Sequence, residues 1–121
     1  MTSPALLSVR IRFHDDARLG PGKVALLEAL QRTGSVKAAG AAMDMSARRA
    51  WLLLESLNKA FDEPVVTTDN TNTDATDPDA GEAQLTDLGQ QLIAAYRAVE
   101  ADTERSVSER FATLVGRLRQ R

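Results

Sequence analysis

The sequence contains no cysteine and a single histidine, His14, among its 121 residues. A chain without cysteine has no disulfide, no thiol nucleophile and no thiolate metal site, which suits a reducing cytoplasm. One histidine with no second ligand or nucleophile at a recognisable spacing assembles neither a zinc site nor a catalytic triad. We therefore expect a protein that is not an enzyme, and we identify no metal site and no cofactor. His14 is predicted to lie in a loop.

Aromatic residues make up only 4% of the chain, and long apolar runs are missing. Trp51 is the single tryptophan, and its place among leucines predicts a core residue and not a platform for stacked bases. Arg10 and Arg12 interrupt the one apolar patch of the amino-terminal segment, so we expect neither a signal peptide nor a membrane span. These absences predict a cytoplasmic protein.

Positive charge is missing from one central stretch, although the net charge of the chain is only −2. The segment Glu63–Gln90 holds seven acids and no base, whereas Met1–Asp62 holds nine bases and six acids. In Gln91–Arg121 there are six bases and four acids. Because a partner meets one face of a protein and not its total charge, this distribution leaves a nucleic-acid partner open.

Hydrophobic periodicity and capping residues predict the first elements of the fold. Alternation of apolar and polar residues predicts a strand over Leu7–Phe13. A helix is expected from Pro21, because proline suits the first helical position. Gly34 suits the end of this helix, and Ser35 suits the N-cap of a second helix, Val36–Met43.

A short turn then leads into a third helix. Asp44 tolerates a left-handed backbone, and Ser46 is a good N-cap for a helix over Ala47–Phe61. Helix, short turn and capped helix together form the helix-turn-helix pattern.

Two short strands and a long helix complete the predicted fold. Pro64–Thr68 and Ala83–Leu85 read as strands joined by the polar loop Asp69–Glu82, which together form a wing. The predicted class is mainly α with a small β wing (α+β), a winged helix-turn-helix over 1–85. Residues 86–121 are predicted as a long dimerisation helix, because its apolar stripe runs beyond what one small domain covers.

Basic residues near the predicted helix starts are the candidate functional residues. Arg48 and Arg49, with Ser46 and Ala47, lie at the end of the third helix that helix-turn-helix proteins insert into the major groove of DNA. An isolated pair of arginines more often solvates a helix end, but the position after a capped turn favours contact with bases.

Three further residues near helix starts suit phosphate contacts. Ser35 and Lys37 belong to the second helix start, and Lys23 lies near the first. Lys37 is the stronger of the two lysine candidates, since Lys23 also reads as a solvated surface charge.

The acidic loop Asp69–Glu82 has no register that places a glycine sixth and a glutamate twelfth behind alternating ligands, so it is not a calcium loop. Its turn-forming composition predicts a solvated loop. Five acids without a base are expected to repel DNA phosphates.

With these residues identified, the sequence resembles the amino-terminal domain of the molybdate-responsive repressor ModE family, which is similar to the DNA-binding part of LysR-type regulators. The resemblance covers Leu6 to about Val99. It is carried by the following segments: Leu19–Lys23, Leu26–Glu28, Thr33–Ser35, Ala38–Ala39, Met43, Met45–Ser46, Arg48–Trp51 and Leu85–Gly89.

The resemblance implies a winged-helix domain that dimerises through its last helix and binds promoters of molybdenum-related genes. Two positions and one segment depart from the family pattern: Ala47 replaces a frequent aromatic, Asp44 replaces a usual glycine, and the wing is acidic. No molybdate-binding domain follows Val99 in the sequence given, so we expect this chain to bind no molybdate.

We therefore expect a homodimeric transcriptional regulator that binds double-stranded DNA sequence-specifically, with no membrane partner. The alternative is a dimeric winged-helix module that binds a protein partner through its acidic wing and has no specific DNA binding.

Overall fold

The computed structural model describes residues 7–68 and 82–119. The elements in these residues are β1 (Ile11–His14), β2 (Ala17–Leu19), α1 (Pro21–Thr33), α2 (Val36–Ala42), α3 (Ala47–Ala60), β3 (Val66–Thr68), β4 (Ala83–Leu85), α4 (Asp87–Arg110) and α5 (Ala112–Val115). The strands form two separate antiparallel hairpins, β1–β2 and β3–β4. Helices with small antiparallel sheets confirm the predicted α+β class.

The helix starts follow from local capping chemistry, as the sequence predicts. The hydroxyl oxygen of Ser35 accepts a hydrogen bond from the Ala38 amide at 3.0 Å. Ser46 accepts one from the Arg49 amide at 3.1 Å. These bonds satisfy amide groups that have no partner within the first turn of a helix. The predicted N-caps of α2 and α3 are confirmed.

Two residues between the helices adopt the left-handed backbone that the turns require. Gly34 has a φ of 80° at the end of α1, and Asp44 has a φ of 57° between α2 and α3. Asp44 shows that a short polar side chain serves where glycine is the usual choice. The tight corners on both sides of α2 are thus built from the residues that the sequence identified.

The strand β2 was not predicted from the sequence, which assigned no helix or strand between Phe13 and Pro21. Its three residues alternate buried, exposed and buried, a pattern too short to be recognised by periodicity alone. Arg12 faces Arg18 across the hairpin. The prediction that His14 lies in a loop is wrong, because it ends β1 and its Nδ1 accepts a hydrogen bond from the Asp16 amide at 3.2 Å.

The core lies between helices α1–α4 and the second hairpin, and leucine is its most frequent residue. Trp51 is half-buried and packs against this core, which confirms the predicted packing role although the ring is not fully enclosed. Tyr96 on α4 is 1% exposed, and its hydroxyl donates a hydrogen bond to the Val9 carbonyl at 2.5 Å. This bond secures the start of the described chain to α4 across the whole fold.

Side-chain hydrogen bonds hold the second hairpin against the helices. The Asn58 amide oxygen accepts bonds from the amides of Val65 and Val66 at 2.8 and 2.9 Å, and its nitrogen donates to the Val66 carbonyl at 3.0 Å. On the other side, the Ala83 amide donates to the Gly34 carbonyl at 3.0 Å. The hairpin is therefore fixed to the end of α3 and to the corner between α1 and α2.

The last helix is shorter than predicted. The sequence predicted one helix over 86–121, whereas α4 ends at Arg110 and the short α5 follows. Phe111 between them has a φ of −104° and a ψ of 7°, outside helical geometry. The division into a domain over 1–85 and a dimerisation helix over 86–121 stays a prediction.

Other predictions concern parts of the chain outside this description or a location in the cell. The acidic loop lies outside the described residues except for Glu82, which is exposed. None of the helices in 7–68 and 82–119 combines the length and apolarity needed to cross a membrane. The predicted cytoplasmic location stays a prediction.

The close approach of α4 to Val65 requires glycine at position 89. A Cβ at Gly89 would lie 2.5 Å from the Val65 carbonyl oxygen, so α4 has to move for any larger residue. We expect Gly89→Ala to lower the free energy of unfolding by about 1–3 kcal/mol, measured by urea denaturation. The matched control is Gly22→Ala, where a Cβ meets nothing within 4 Å and stability is expected to hold or rise. Equal effects of the two substitutions would contradict this account.

An ion pair between α1 and α4 predicts a pH dependence of stability. Arg97 Nε donates to Glu28 at 3.1 Å, and this hydrogen bond is the main cause that holds the pKa of the Glu28 carboxyl below its usual range. Such a pair stabilises the fold above the unfolded pKa of about 4.3 and is lost as the pH falls through the lower folded pKa. We expect Glu28→Gln to lower the melting temperature at pH 7 but progressively less below about pH 4.

The control is Glu55→Gln, since Glu55 pairs with Lys59, whose side chain is 75% exposed. An exposed pair of this kind contributes little to stability, so the control should change the melting temperature little at either pH. A deficit of Glu28→Gln that persists unchanged at low pH would contradict the assignment.

Candidate anion-binding site

The first hairpin, the start of α1 and the start of α3 border an open cavity of about 490 Å³. Five cationic side chains line it: Arg10, Arg12, Arg18, Lys23 and Arg49. The remaining side chains of its wall are apolar, namely Ile11, Leu19, Pro21, Met45 and Leu53. We call this cavity the cationic pocket.

Local structure explains why these cations converge. Arg12 on β1 lies directly opposite Arg18 on β2. Lys23 lies in the first turn of α1, and its ammonium donates a hydrogen bond to the Arg18 carbonyl at 3.1 Å. Arg49 lies in the first turn of α3, whose start is fixed by the Ser46 cap. Backbone register and helix capping therefore place charges from three elements around one cavity.

The positive charges of the cationic pocket repel one another. Like charges directly opposite in an antiparallel pair are destabilising, and Arg12 and Arg18 are such a pair. Burial, and secondly the charge of Arg18, lower the pKa of the Lys23 ammonium. The ion pairs found in the described part of the chain involve Lys59, Arg97 and Arg105 and none of the five pocket cations. A bound anion would relieve this repulsion.

The start of α1 adds hydrogen-bond donors to the cationic pocket. Its N-cap, Gly20, has no side chain that accepts from the first turn, and that turn contains no acid. Pro21, the first residue of the helix, has no amide hydrogen, so the donors of this turn are the amides of Gly22 and Lys23. The space beside Gly22 is open, since a Cβ there would meet nothing within 4 Å. Amides at a helix start and cationic side chains both favour an oxyanion. The arrangement is therefore suited to binding an anion by charge-assisted hydrogen bonds.

The structure separates the residues that the sequence singled out. Lys23 and Arg49 both line the cationic pocket. Ser35 and Ser46 cap helices. Lys37 and Arg48 are exposed and Ala47 is half-buried, and these three do not line the pocket. Whether any of the seven binds a ligand stays a prediction.

Three of the pocket cations were missed by the sequence analysis. Arg10 and Arg12 were considered there only as residues of a strand and as interruptions of an apolar patch, and Arg18 was not considered. In Ala17–Leu19 a basic residue stands between two apolar residues, which is the alternation of a half-buried strand. Recognising this short strand as the partner of β1 would have brought the three arginines together. In the described residues no group of three or more histidine, cysteine or acidic side chains lies close enough together to hold a metal ion.

No family model matches the chain. Similar proteins are known, however. The molybdenum-pterin-binding protein MopB of Rhodobacter capsulatus is 39% identical over 92 residues, which cover 76% of this chain and 32% of MopB. The molybdenum transport protein ModE of Azotobacter vinelandii is 32% identical over 101 residues, covering 81% of this chain and 36% of ModE.

A second Rhodobacter capsulatus protein, the molybdenum-pterin-binding protein MopA, is 28% identical over 97 residues, covering 80% of this chain and 35% of MopA. The chain thus spans about a third of the length of the curated relatives it matches. These homologues are proteins of the ModE family, so the link to molybdenum implied by the sequence resemblance is confirmed.

The same homologues contradict the function expected from the sequence. Their names describe molybdenum-pterin binding and molybdenum transport, so the interpretation as a sequence-specific DNA-binding regulator is wrong, and the protein-interaction alternative fits no better. The sequence analysis expected double-stranded DNA as a partner and no bound molybdate. The names of the homologues contradict both expectations. The names carry no information on the expected homodimer. The physical reason for the error is that a helix-turn-helix pattern describes a shape, whereas the ligand is determined by the site.

Repulsion across the first hairpin predicts that removing one arginine stabilises the protein. We expect Arg18→Thr to raise the free energy of unfolding by roughly 0.2–1 kcal/mol at low salt, because threonine suits a strand and removes a like-charge pair. Urea denaturation of Arg12→Thr, Arg18→Thr and the double variant should give an unfavourable coupling between the two arginines. A favourable coupling would show that the arginines do not repel each other.

Proposed function

We propose that this chain, whose homologues are proteins of the ModE family, binds a tetrahedral oxyanion of the molybdate class in its cationic pocket. The observation that carries the proposal is the convergence of five cations on one cavity of about 490 Å³. None of the five forms an ion pair with a carboxylate of residues 7–68 or 82–119. An anion from solution would neutralise part of this concentrated positive charge.

The geometry of the donors supports an oxyanion in particular. Arginine presents several N–H donors in a planar fork, which matches two oxygens of one anion at a time. Arg12 and Arg18 lie opposite each other, and Arg49 approaches from a different element. Donors that come from several directions suit a tetrahedral anion better than a planar carboxylate.

Repulsion among the pocket cations favours an anion that carries two negative charges. The lowered pKa of the Lys23 ammonium reflects burial and then the charge of Arg18. A dianion beside Lys23 and Arg18 favours the protonated lysine and offsets the like-charge contact of the hairpin. Binding and folding are therefore coupled, since a ligand of the native state stabilises that state.

The relatives supply the link to molybdenum. The names of MopA and MopB describe molybdenum-pterin binding, and the name of ModE describes molybdenum transport. On this ground we propose that this chain also binds molybdenum, in the form of its oxyanion. Because the chain spans about a third of those proteins, their activities as whole proteins remain proposals for it.

We propose binding without catalysis. The side chains that line the cationic pocket are arginine, lysine and apolar residues, together with glycine and proline. Catalysis by acid and base or by a nucleophile typically uses histidine, carboxylate, serine or cysteine. The lining supports a carrier or sensor of an anion. We also propose a cytoplasmic location, which the cysteine-free composition supports.

For the fold, we propose the winged helix-turn-helix class. The succession α2, a short turn with Asp44 in the left-handed region, and the capped α3 supports this assignment. The antiparallel hairpin β3–β4, which follows α3 in the chain, supports the assignment of a wing.

Isothermal titration calorimetry with sodium molybdate tests the proposed function. We expect the wild-type chain to bind one molybdate and Arg49→Gln to weaken binding by about tenfold or more, as the loss of a charge-assisted hydrogen bond implies. The matched control is Arg48→Gln, since the neighbouring arginine is also exposed but does not line the pocket. It should bind as the wild type does.

Two further titrations sharpen this experiment. Chloride at equal ionic strength should not displace molybdate, whereas tungstate, a tetrahedral oxyanion of the same charge, should compete with it. If Arg48→Gln and Arg49→Gln weaken molybdate binding equally, the anion is attracted by the overall positive charge and not bound in the cationic pocket. Absence of molybdate binding, together with sequence-selective binding of duplex DNA, would overturn the proposal.

A further inference from the structure

A single dianion leaves most of the positive charge in the cationic pocket uncompensated. Five cations line the cavity, and none of them forms an ion pair with a carboxylate of residues 7–68 or 82–119. Molybdate neutralises only two of these charges. The cavity of about 490 Å³ is also within the range of about 300–1,000 Å³ that is usual for larger ligands. A longer anion with more charge therefore matches the pocket better than one tetrahedral group.

The cations are spread along the cavity and do not converge on one point. Arg10 lies at the start of α1, since a Cβ added at Gly20 would meet its Cγ at 3.6 Å. Arg12 follows two residues later, which is about 6–7 Å further along in strand geometry, and it faces Arg18. Arg49 approaches from α3. Because two bidentate arginines already engage all the oxygens of one tetrahedral anion, the other cations are placed to hold a further anionic group.

The wall of the pocket presents hydrogen-bond donors and no strong side-chain acceptor. Among the described residues that line it, no side chain carries a carboxylate, a hydroxyl or an amide group. Arginine and lysine donate hydrogen bonds and accept none. A ligand rich in hydroxyl or amino groups would bring donors without a side-chain partner, and an unpaired polar group in a site is costly. The pocket therefore favours a ligand whose polar atoms are all acceptors.

The apolar part of the wall strengthens the attraction between these cations and an anion. Ile11, Met45 and Leu53 line the pocket and are half-buried. Apolar side chains keep water from one side of a bound anion, and opposite charges attract each other more strongly where the effective dielectric constant is lower. These residues thus contribute to binding without requiring an apolar group in the ligand.

We propose that the cationic pocket binds a linear condensed phosphate, in which three or more tetrahedral groups are joined by bridging oxygens. Such an anion carries at least one negative charge for each phosphate, presents acceptors only, and places successive groups beside successive cations. This inference rests on the proposed function for the location of the site, and it extends the ligand from one oxyanion to a chain of linked ones. Molybdate then occupies the place of a single phosphate group, and the open cavity lets a longer chain continue into solvent.

Calorimetry with orthophosphate, pyrophosphate and tripolyphosphate, at one pH and equal ionic strength, tests this inference. We expect each added phosphate to tighten binding about tenfold, since it gains a charge-assisted hydrogen bond to a further cation. Tripolyphosphate should also displace molybdate. The matched control ligand is tricarballylate, a flexible anion with a charge similar to that of pyrophosphate but with planar carboxylates. It should bind about tenfold more weakly than pyrophosphate.

Substitution of Arg10 shows whether the ligand extends along the pocket. We expect Arg10→Gln to lower the affinity for tripolyphosphate about tenfold more than that for orthophosphate, because only the longer anion extends past Arg12 to Arg10. Arg10→Lys keeps the charge and should restore most of this difference. The matched control is Arg48→Gln, which removes an exposed arginine that does not line the pocket and should leave both affinities as in the wild type.

The outcomes distinguish this inference from the proposed function. If molybdate binds but the three phosphates bind equally well, the inference is wrong and the proposed function stands. If tripolyphosphate binds and molybdate does not, the molybdate assignment is wrong and the inference is supported. If tricarballylate binds as tightly as pyrophosphate, or if Arg48→Gln acts like Arg10→Gln, charge alone attracts the anions and the inference is wrong. Tighter binding of duplex DNA than of a polyphosphate with as many phosphates would also overturn it.

Discussion

The backbone of Val65 is the point at which α3, the second hairpin and α4 meet. Its amide donates to Asn58 at 2.8 Å, and its carbonyl accepts hydrogen bonds from the Thr86 amide and hydroxyl at 3.0 and 3.1 Å. The same carbonyl lies where a side chain at Gly89 would have to be. Because Val65 is fully buried, its carbonyl would be left without a partner if Thr86 and α4 moved away, whereas its amide would keep its bond to Asn58 on α3. The contact fixes the direction of α4 and the end of α3 together.

The cationic pocket depends on this arrangement, although it lies at the other end of α3. Asn58 ties the end of α3 to the second hairpin, and Ala50, Leu54 and Leu57 bury one face of the helix in the core. These contacts oppose rotation of α3, so Arg49 and Leu53 keep their direction toward the first hairpin. The hairpin is in turn held to α4 through the bond from Tyr96 to Val9. Repulsion among the arginines acts against this packing. The buried core and the Val65 contact stabilise a charge arrangement that the hairpin alone would not maintain.

The sequence predicted those parts of the fold that are determined locally. N-caps at Ser35 and Ser46 and the turn at Asp44 depend on the conformational preferences of single residues, and the structure confirms them. The hairpin β3–β4 was also expected, since its strands flank a turn-rich loop. The strand β2 was missed because three residues contain too little periodicity, and the last helix was extended past Arg110 because apolar spacing continues where the helix does not.

The site was less predictable because it is assembled from segments that are distant in sequence. Lys23 and Arg49 were selected as charges near helix starts, but no pattern linked them to each other or to Arg12 and Arg18. Two exposed arginines at adjacent positions, Arg48 and Arg49, look equivalent in the sequence and differ only in whether they face the cavity. Neighbouring helical residues point in directions about 100° apart, so the hairpin packed beside α3 determines which of the two is usable.

The error about function has the same origin. Basic residues at a capped helix start suit phosphates of DNA and small oxyanions equally well, since both are recognised by the same donors. What differs is the shape of the surface that presents them: a groove of DNA requires a projecting helix, whereas a small anion requires a concave site. In this chain Arg12 and Arg18 of the first hairpin, with Arg10 directly before it, lie beside Arg49 around an open cavity. The homologues are proteins named for molybdenum. The concave arrangement of charge is therefore the feature from which the function of this chain is best inferred.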